Sequence, residues 1–416
     1  MLSGMVDTLM LSAVGDYAVG AVGTANSYIG IFIIMFSIIS SGMVSVMTQN
    51  IGAGRPGVAY QARQLGLLFN AVAGVLMAVF LFSGAGAILR MVGIADALYE
   101  PALIYLKIVG GGCILNAVIP IFSSYLRAFG YTKQPLYATI VGNIANFVMN
   151  AVFLFVLHKG VAGVATATVI SKILNLCIVL YFSHKLISAK NSTERIANKT
   201  VLGQIVKVGL PSACETALYN VAMMLVIRFL NQMDAEGLNV TARSYTATIS
   251  NFSYCVGAAL AQANAIMTGW HIGAGELEEC DRGTKRAAFV GVCVAVCMET
   301  AIVLGSGFIM PLFTDNPEMT ALVRKLLAID IVLEIGRVTN LVFGQALKTS
   351  GDAVFPAVIA AVFMFVFAVG GTWLFGISMG LMAVGAYIGL ASDECVRAVG
   401  MVWRWKTGKW RTKKLV

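Results

Sequence analysis

Charged residues are what this sequence has least of: Asp, Glu, Lys and Arg make up 12% of its 416 residues, about half the share of a soluble globular chain. Such a shortage excludes water as the main solvent. Histidine is rarer still, with His158, His184 and His271 scattered near the ends of predicted helices, so no zinc-binding pattern is assembled. No nucleophile and base pair and no Asp-rich magnesium motif is present, which argues against an intramembrane enzyme. Alternating segments of about 10 residues, the mark of a transmembrane barrel, are missing too. Cysteine offers no disulfide framework. Cys113, Cys177, Cys214, Cys255, Cys293, Cys297 and Cys395 fall in predicted helices and Cys280 in a predicted cytoplasmic loop, where disulfides are rare. Cys293 and Cys297 lie one helical turn apart and read as small packing residues rather than a metal pair.

What the chain has instead is apolar length. It is 58% hydrophobic with a mean hydropathy of +0.84. Runs at 29–47, 67–81 and 357–375 reach or approach the roughly 20 residues that cross a bilayer as helix. Backbone groups in lipid must be satisfied internally, so these runs are helices. The expected fold class is an all-α polytopic membrane protein with spans near 1–14, 25–50, 64–92, 101–128, 134–157, 161–184, 203–231, 244–271, 286–313, 319–347, 354–375 and 380–404. The net charge of +9 does not signal nucleic acid, because the cations fall in alternate loops. Arg55, Arg63, Lys133, Lys185, Lys190, Arg195, Lys199, Arg282, Lys285, Arg286 and the tail from Lys406 to Lys414 share one side, while Asp16, Asp96, Glu100, Asp234, Glu236, Asp315 and Glu318 lie on the other, with few cations there beyond Lys159 and Arg243. By the positive-inside rule both termini face the cytoplasm, and the expected location is the cell membrane.

An internal repeat organises the spans. Ile51-Gly52-Ala53-Gly54 recurs as Ile272-Gly273-Ala274-Gly275, an offset of 272 − 51 = 221, and Leu126, Gly130 and Pro135 recur as Leu347, Gly351 and Pro356 at the same offset. Six spans separate the copies, so two parallel six-helix repeats are expected: an amino-terminal lobe at 1–188, a cytoplasmic linker at 189–202 and a carboxy-terminal lobe at 203–416 with a basic tail. Pro211 would map to position −10, so the first copy of the opening helix is expected to be truncated.

Ionisable and amide groups inside spans are costly and therefore candidates for function. Asp7, Asn150 and Thr168 all fall at similar depth, about 10 Å below the outer surface at 1.5 Å per helical residue, with Asn146 one turn from Asn150 on the same face. A carboxylate, two amide oxygens and a hydroxyl there suit Na⁺ as hard oxygen ligands, or a proton on Asp7; the competing reading of Asn146, Asn150 and Thr168 is hydrogen bonding between helices. The second half offers Glu215, Tyr219 and Asn220, Gln262 and Asn264, Glu299, and Asp330, Glu334 and Arg337. Glu334 and Arg337, at i and i+3, are placed to neutralise each other. Arg228 stands at the repeat equivalent of Asp7, and Glu299 has no evident partner.

Taken in order, Val6-Asp7-Thr8, Gly52-Ala53-Gly54, Leu126-Arg127-Ala128-Phe129-Gly130, Asn146 with Asn150, and the stretch from Gly160 to Thr168 make the chain resemble the multidrug and toxic compound extrusion (MATE) family over nearly its whole length. The resemblance implies two six-helix lobes around a V-shaped cavity, no cofactor, and export of small organic, often cationic, amphipathic compounds in exchange for Na⁺ or H⁺, by a monomer in the bilayer. It implies that Asp7, Asn146, Asn150 and Thr168 form the amino-lobe cation-coupling site, with Asp7, Asn146 and Asn150 as the metal ligands if the ion is Na⁺. A carboxy-lobe polar site would fall on Glu215, Tyr219, Glu334 and Arg337. There the resemblance puts Tyr219 in place of a span-seven glutamate and Arg337 in place of a span-ten aspartate. A flippase of lipid-linked precursors, the rival within the superfamily, calls for a strongly cationic cavity, and Arg228 and Arg337 are the cations placed inside by sequence.

Overall fold

The computed structural model describes residues 10–11, 16–91, 94, 96–187, 194–234 and 237–416. Among them there is no β-strand. The helices are α1 (Asp16–Gly52), α2 (Pro56–Met91), α3 (Asp96–Gly111), α4 (Cys113–Ala128), α5 (Lys133–Ala151), α6 (Gly160–Leu186), α7 (Asn198–Met233), α8 (Leu238–Ala274), α9 (Leu277–Ile309), α10 (Pro317–Ser350), α11 (Val354–Phe363) and α12 (Met382–Lys406). Seven of the described helices are long and apolar enough to cross a membrane, or eight if α3 and α4 form one bent span. α10 is not one of them, because Arg324, Lys325, Asp330, Glu334, Arg337 and Lys348 interrupt it.

Local chemistry sets the ends of these helices. Pro317 occupies the first turn of α10, where no amide is needed, and the Asn316 side chain accepts from the amides of Glu318 at 2.9 Å and Met319 at 3.3 Å. α4 and α10 end in the same way. Gly130 (φ +86°) and Gly351 (φ +99°) take the left-handed conformation, and the following amides of Tyr131 and Asp352 return to Leu126 and Leu347 at 3.0 Å each, which is the Schellman arrangement. α5 runs on into a π-helical turn at Val152–Val156, and α11 into π-helical stretches at Met364–Val369 and Thr372–Ser378.

The structure corrects three sequence boundaries. The span at 101–128 is two helices, α3 and α4, bent by 40° at Gly112. The linker expected at 189–202 already turns helical at Asn198. Cys280 is not in a loop: α9 begins at Leu277, and Cys280 is buried in its first turns. The cations that suggested a loop there are held on the helix surface, Arg282 on Glu279 at 2.9 Å and Lys285 on Asp281 at 2.6 Å.

Two compact units emerge, one of Met1–Met47 and Arg55–Val206, the other of Thr48–Gly54 and Lys207–Val416. The first is built around Ile29, Leu81, Leu106, Val109 and Val164. The second has one cluster around Val226, Leu326, Leu333 and Tyr387 and another around Val338, Phe343 and Trp405; Trp405 stacks on Trp410 at 4.2 Å. Polarity within α2 runs opposite to that of a soluble helix. Leu68, Leu76, Val79 and Phe82 are exposed, while Asn70 is buried and donates to the carbonyls of Phe36 and Ala117 at 3.2 and 3.1 Å. An apolar exterior around a hydrogen-bonded polar interior is what hydrocarbon solvent demands.

Candidate functional site

In the first unit, α5 carries Asn146 and Asn150 and α6 carries Thr168. Both asparagines are fully enclosed, 1% and 0% exposed, and Asn150 Nδ2 donates to Asn146 Oδ1 at 3.4 Å. The Thr168 hydroxyl donates to Val164 O at 2.9 Å, which leaves its lone pairs facing outward from the helix. Thr168 lines a cavity of about 330 Å³ with Asn143, Ser171, Lys172 and Asn175. Asn146 and Asn150 are not part of that lining. The structure therefore brings the two asparagines together and sets Thr168 on the adjoining helix at a largely apolar cavity. Asp7 lies outside the described residues. Lys172 went unremarked in the sequence, although a lysine one turn from Thr168 inside an apolar span is itself a signal.

The second unit holds a larger polar interior. On α10, Asp330, Glu334 and Arg337 repeat at four and three residues and so share a face. Arg337 pairs with the fully buried Glu334, and its Nε lies 3.8 Å from Glu394 on α12. Arg397, also on α12, holds Asp393 through two bonds of 3.0 and 2.7 Å and Glu394 at 2.8 Å. Asn340 donates to Glu394 at 3.0 Å. On the α7 side, Lys348 pairs with Glu215 at 2.8 Å. Arg337, Glu394, Arg397, Lys348, Glu215 and Tyr219 converge on a cavity of about 260 Å³.

Of the carboxy-lobe residues singled out by sequence, Glu215, Tyr219 and Arg337 thus reach one cavity, and Glu334 sits behind Arg337 rather than in its wall. The i, i+3 pairing of Glu334 with Arg337 is present. One expectation is corrected, the set of interior cations. Arg228 has an exposed side chain on α7, whereas Lys348 and Arg397 join Arg337 in the cavity wall; each of these three cations is matched by an acid, so the wall is not the strongly cationic one a flippase would need. Glu299 on α9 enters no ion pair among the described residues and instead lies among like charges: one carboxylate oxygen each from Glu299, Asp330 and Glu334 lie within 4.8 Å of one another. Asp393, Glu394 and Arg397 were missed although they stand in an expected span.

Comparison with known proteins agrees with this architecture. The MatE family model matches residues 1–152 and 211–374. The chain is 32% identical over 419 residues to the uncharacterised transporter YisQ of Bacillus subtilis, covering 99% of this chain and 92% of that one. It is 20% identical to a probable multidrug resistance protein NorM of Thermotoga maritima, covering 100% and 90%. Among solved structures, a MATE protein in the straight conformation superposes with a TM-score of 0.88 at 21% identity, over 99% of this chain and 93% of that one. With the family model matching most of its length, the chain belongs to the MatE family, the multi-pass membrane transporters of the multidrug and toxic compound extrusion type.

Proposed function

We propose that this chain is a secondary active antiporter of the cell membrane, exporting amphipathic and mainly cationic organic compounds in exchange for inward-moving Na⁺ or H⁺. The observation that carries the reading is the enclosed Asn146–Asn150 pair in a chain of this family. Amide oxygens held in a dry helix interior suit a desolvated cation better than they suit lipid. Asp7 supplies the charge, Asn146 and Asn150 are its oxygen partners, and Thr168 offers its remaining lone pairs at the neighbouring cavity. The mostly neutralised cavity wall around Tyr219, Arg337 and Glu394 gives amphipathic substrates aromatic surface beside both signs of charge.

Two parallel six-helix lobes, 1–188 and 203–416, joined by the stretch at 189–202 whose last residues already belong to α7, form the transporting monomer, and both termini face the cytoplasm. The matching ends of α4 and α10, 221 residues apart, support the repeat. The two lobes expose the substrate to either side in turn, and cation binding shifts that equilibrium through unequal affinity for the two states. Accumulation of a fluorescent organic cation in cells with and without the gene tests the reading. Lower accumulation in expressing cells is expected, and equal accumulation for a panel of such compounds would reject it.

A further inference from the structure

We infer that Glu299, Asp330 and Glu334, together with the hydroxyls of Ser250 and Ser253, form a binding site for one Na⁺ ion inside the second unit. The site uses α8, α9 and α10. It shares no residue with the amino-lobe set and does not take Glu215, Tyr219 or Arg337 as a ligand.

Three features converge. First, the three carboxylates offer oxygens within 4.8 Å of one another, while Glu299 and Glu334 are 0% exposed and Asp330 3%. Both oxygens of Glu299, Oδ2 of Asp330 and Oε2 of Glu334 have no hydrogen-bond partner. Second, two serines on α8 point at the cluster, Ser253 beside Glu299 and Ser250 beside Asp330. They are 0% and 3% exposed, and neither hydroxyl closes a hydrogen bond of normal geometry. That is not the habit of α8, where Ser244, Thr246 and Thr248 each donate to the carbonyl four residues back at 2.8–2.9 Å. A helical serine in an apolar setting ordinarily takes that bond. Third, the nearby cation is already committed: Arg337 pairs with Glu334 and faces Glu394. Glu299 and Asp330 enter none of the ion pairs found among the described residues.

An excess of buried negative charge at membrane depth must be compensated. Protons alone would satisfy the carboxylates and use the two hydroxyls only as donors to them, whereas a metal cation takes the lone pairs of both kinds of oxygen. Mg²⁺ keeps several waters, for which so closed a site has no place, and Ca²⁺ takes roughly six to eight oxygens. Five side chains giving one oxygen each suit Na⁺.

The test is equilibrium dialysis of radiolabelled Na⁺ against the purified full-length chain in detergent, at mildly alkaline pH with choline holding ionic strength constant. The Asn146→Leu, Asn150→Leu chain is measured beside the wild type, so that loss of amino-lobe binding is read separately. In that chain one Na⁺ site is expected to persist, and Glu299→Gln to weaken it at least about tenfold. Ser253→Ala, which disturbs neither charge nor packing much, is expected to weaken it by a smaller factor and carries the test if Glu299→Gln does not fold. Na⁺ affinity unchanged in both variants would overturn the site. So would proton uptake by the cluster with no Na⁺ bound, or Ca²⁺ displacing Na⁺ at equal concentration.

Discussion

Thr48 lies so close to Gly269 that a β-carbon at residue 269 would overlap the Thr48 side chain. The contact belongs to a set that exchanges under one sequence offset. Gly52 abuts the backbone of Trp270, and Gly273 abuts the backbone of Gln49; adding 221 to Gly52 and Gln49 gives Gly273 and Trp270, and adding it to Thr48 gives Gly269 itself. The ends of α1 and α8 therefore meet through equivalent residues, and glycine is needed wherever backbone faces backbone. Gly269→Ala is expected to lower stability by about 1–3 kcal/mol through overpacking, and adding Thr48→Gly to recover part of the loss. Gly273→Ala, which meets backbone rather than a side chain, has no such partner substitution. Thermal unfolding of the purified variants in detergent measures all three, and equal stability of the Gly269→Ala and wild-type chains would show that the contact yields freely.

The α12 network gives a second expectation. Arg397 is enclosed with Asp393 and Glu394, so Arg397→Met leaves two buried carboxylates short of a partner, at about 3–5 kcal/mol. Arg397→Lys is expected to rescue little of this, since an ammonium cannot reproduce the bidentate hold on Asp393. Comparable melting temperatures for Arg397→Lys and wild type would contradict it.

Acid should weaken the start of α8. Partial burial works against charge on Asp234, but hydrogen bonds from the Asn239 backbone and side chain and from the Leu238 and Gly237 amides outweigh it and hold the carboxyl below its usual value. A depressed folded value means that the contribution is present above the unfolded value, about 3.9, and is lost as pH falls through the folded one. Asp234→Ala is expected to cost about 1 kcal/mol near neutrality, the usual worth of a helix-capping oxygen. The gap to wild type should close in strong acid. A gap that stays constant with pH would assign the effect to something other than the ionised carboxylate.

The fold was largely legible because membrane helices announce themselves by apolar length and because Gly130 and Gly351 mark equivalent helix ends. The loop reading at Cys280 failed for a physical reason. Arg282, Lys285 and Arg286 looked like loop cations, yet α9 carries Arg282 and Lys285 on an exposed face braced by acids one turn away. Site residues were legible where both partners lay on one helix, as with Glu334 and Arg337. Glu299 looked solitary because its neighbours Asp330 and Glu334 come from another helix, a proximity that no spacing within α9 encodes.

The amino-lobe assignment separates coupling from substrate binding. Replacing both Asn146 and Asn150 by Leu is expected to reduce cation-driven efflux by at least about tenfold, as expected for removal of ligand oxygens, while binding of a fluorescent organic cation to the purified protein changes little. Lost drug binding with normal coupling of the residual flux would instead place the drug at these asparagines.

Antiport itself is tested most directly in vesicles reconstituted with the full chain, by following a fluorescent organic cation under an imposed Na⁺ gradient, an imposed pH gradient, or neither. Concentrative movement of the compound opposite to one of the two ion gradients, absent without a gradient and abolished by Asp7→Asn at matched protein levels, is the expected result. Equal movement with and without gradients, or undiminished movement in the Asp7→Asn chain, would contradict the account.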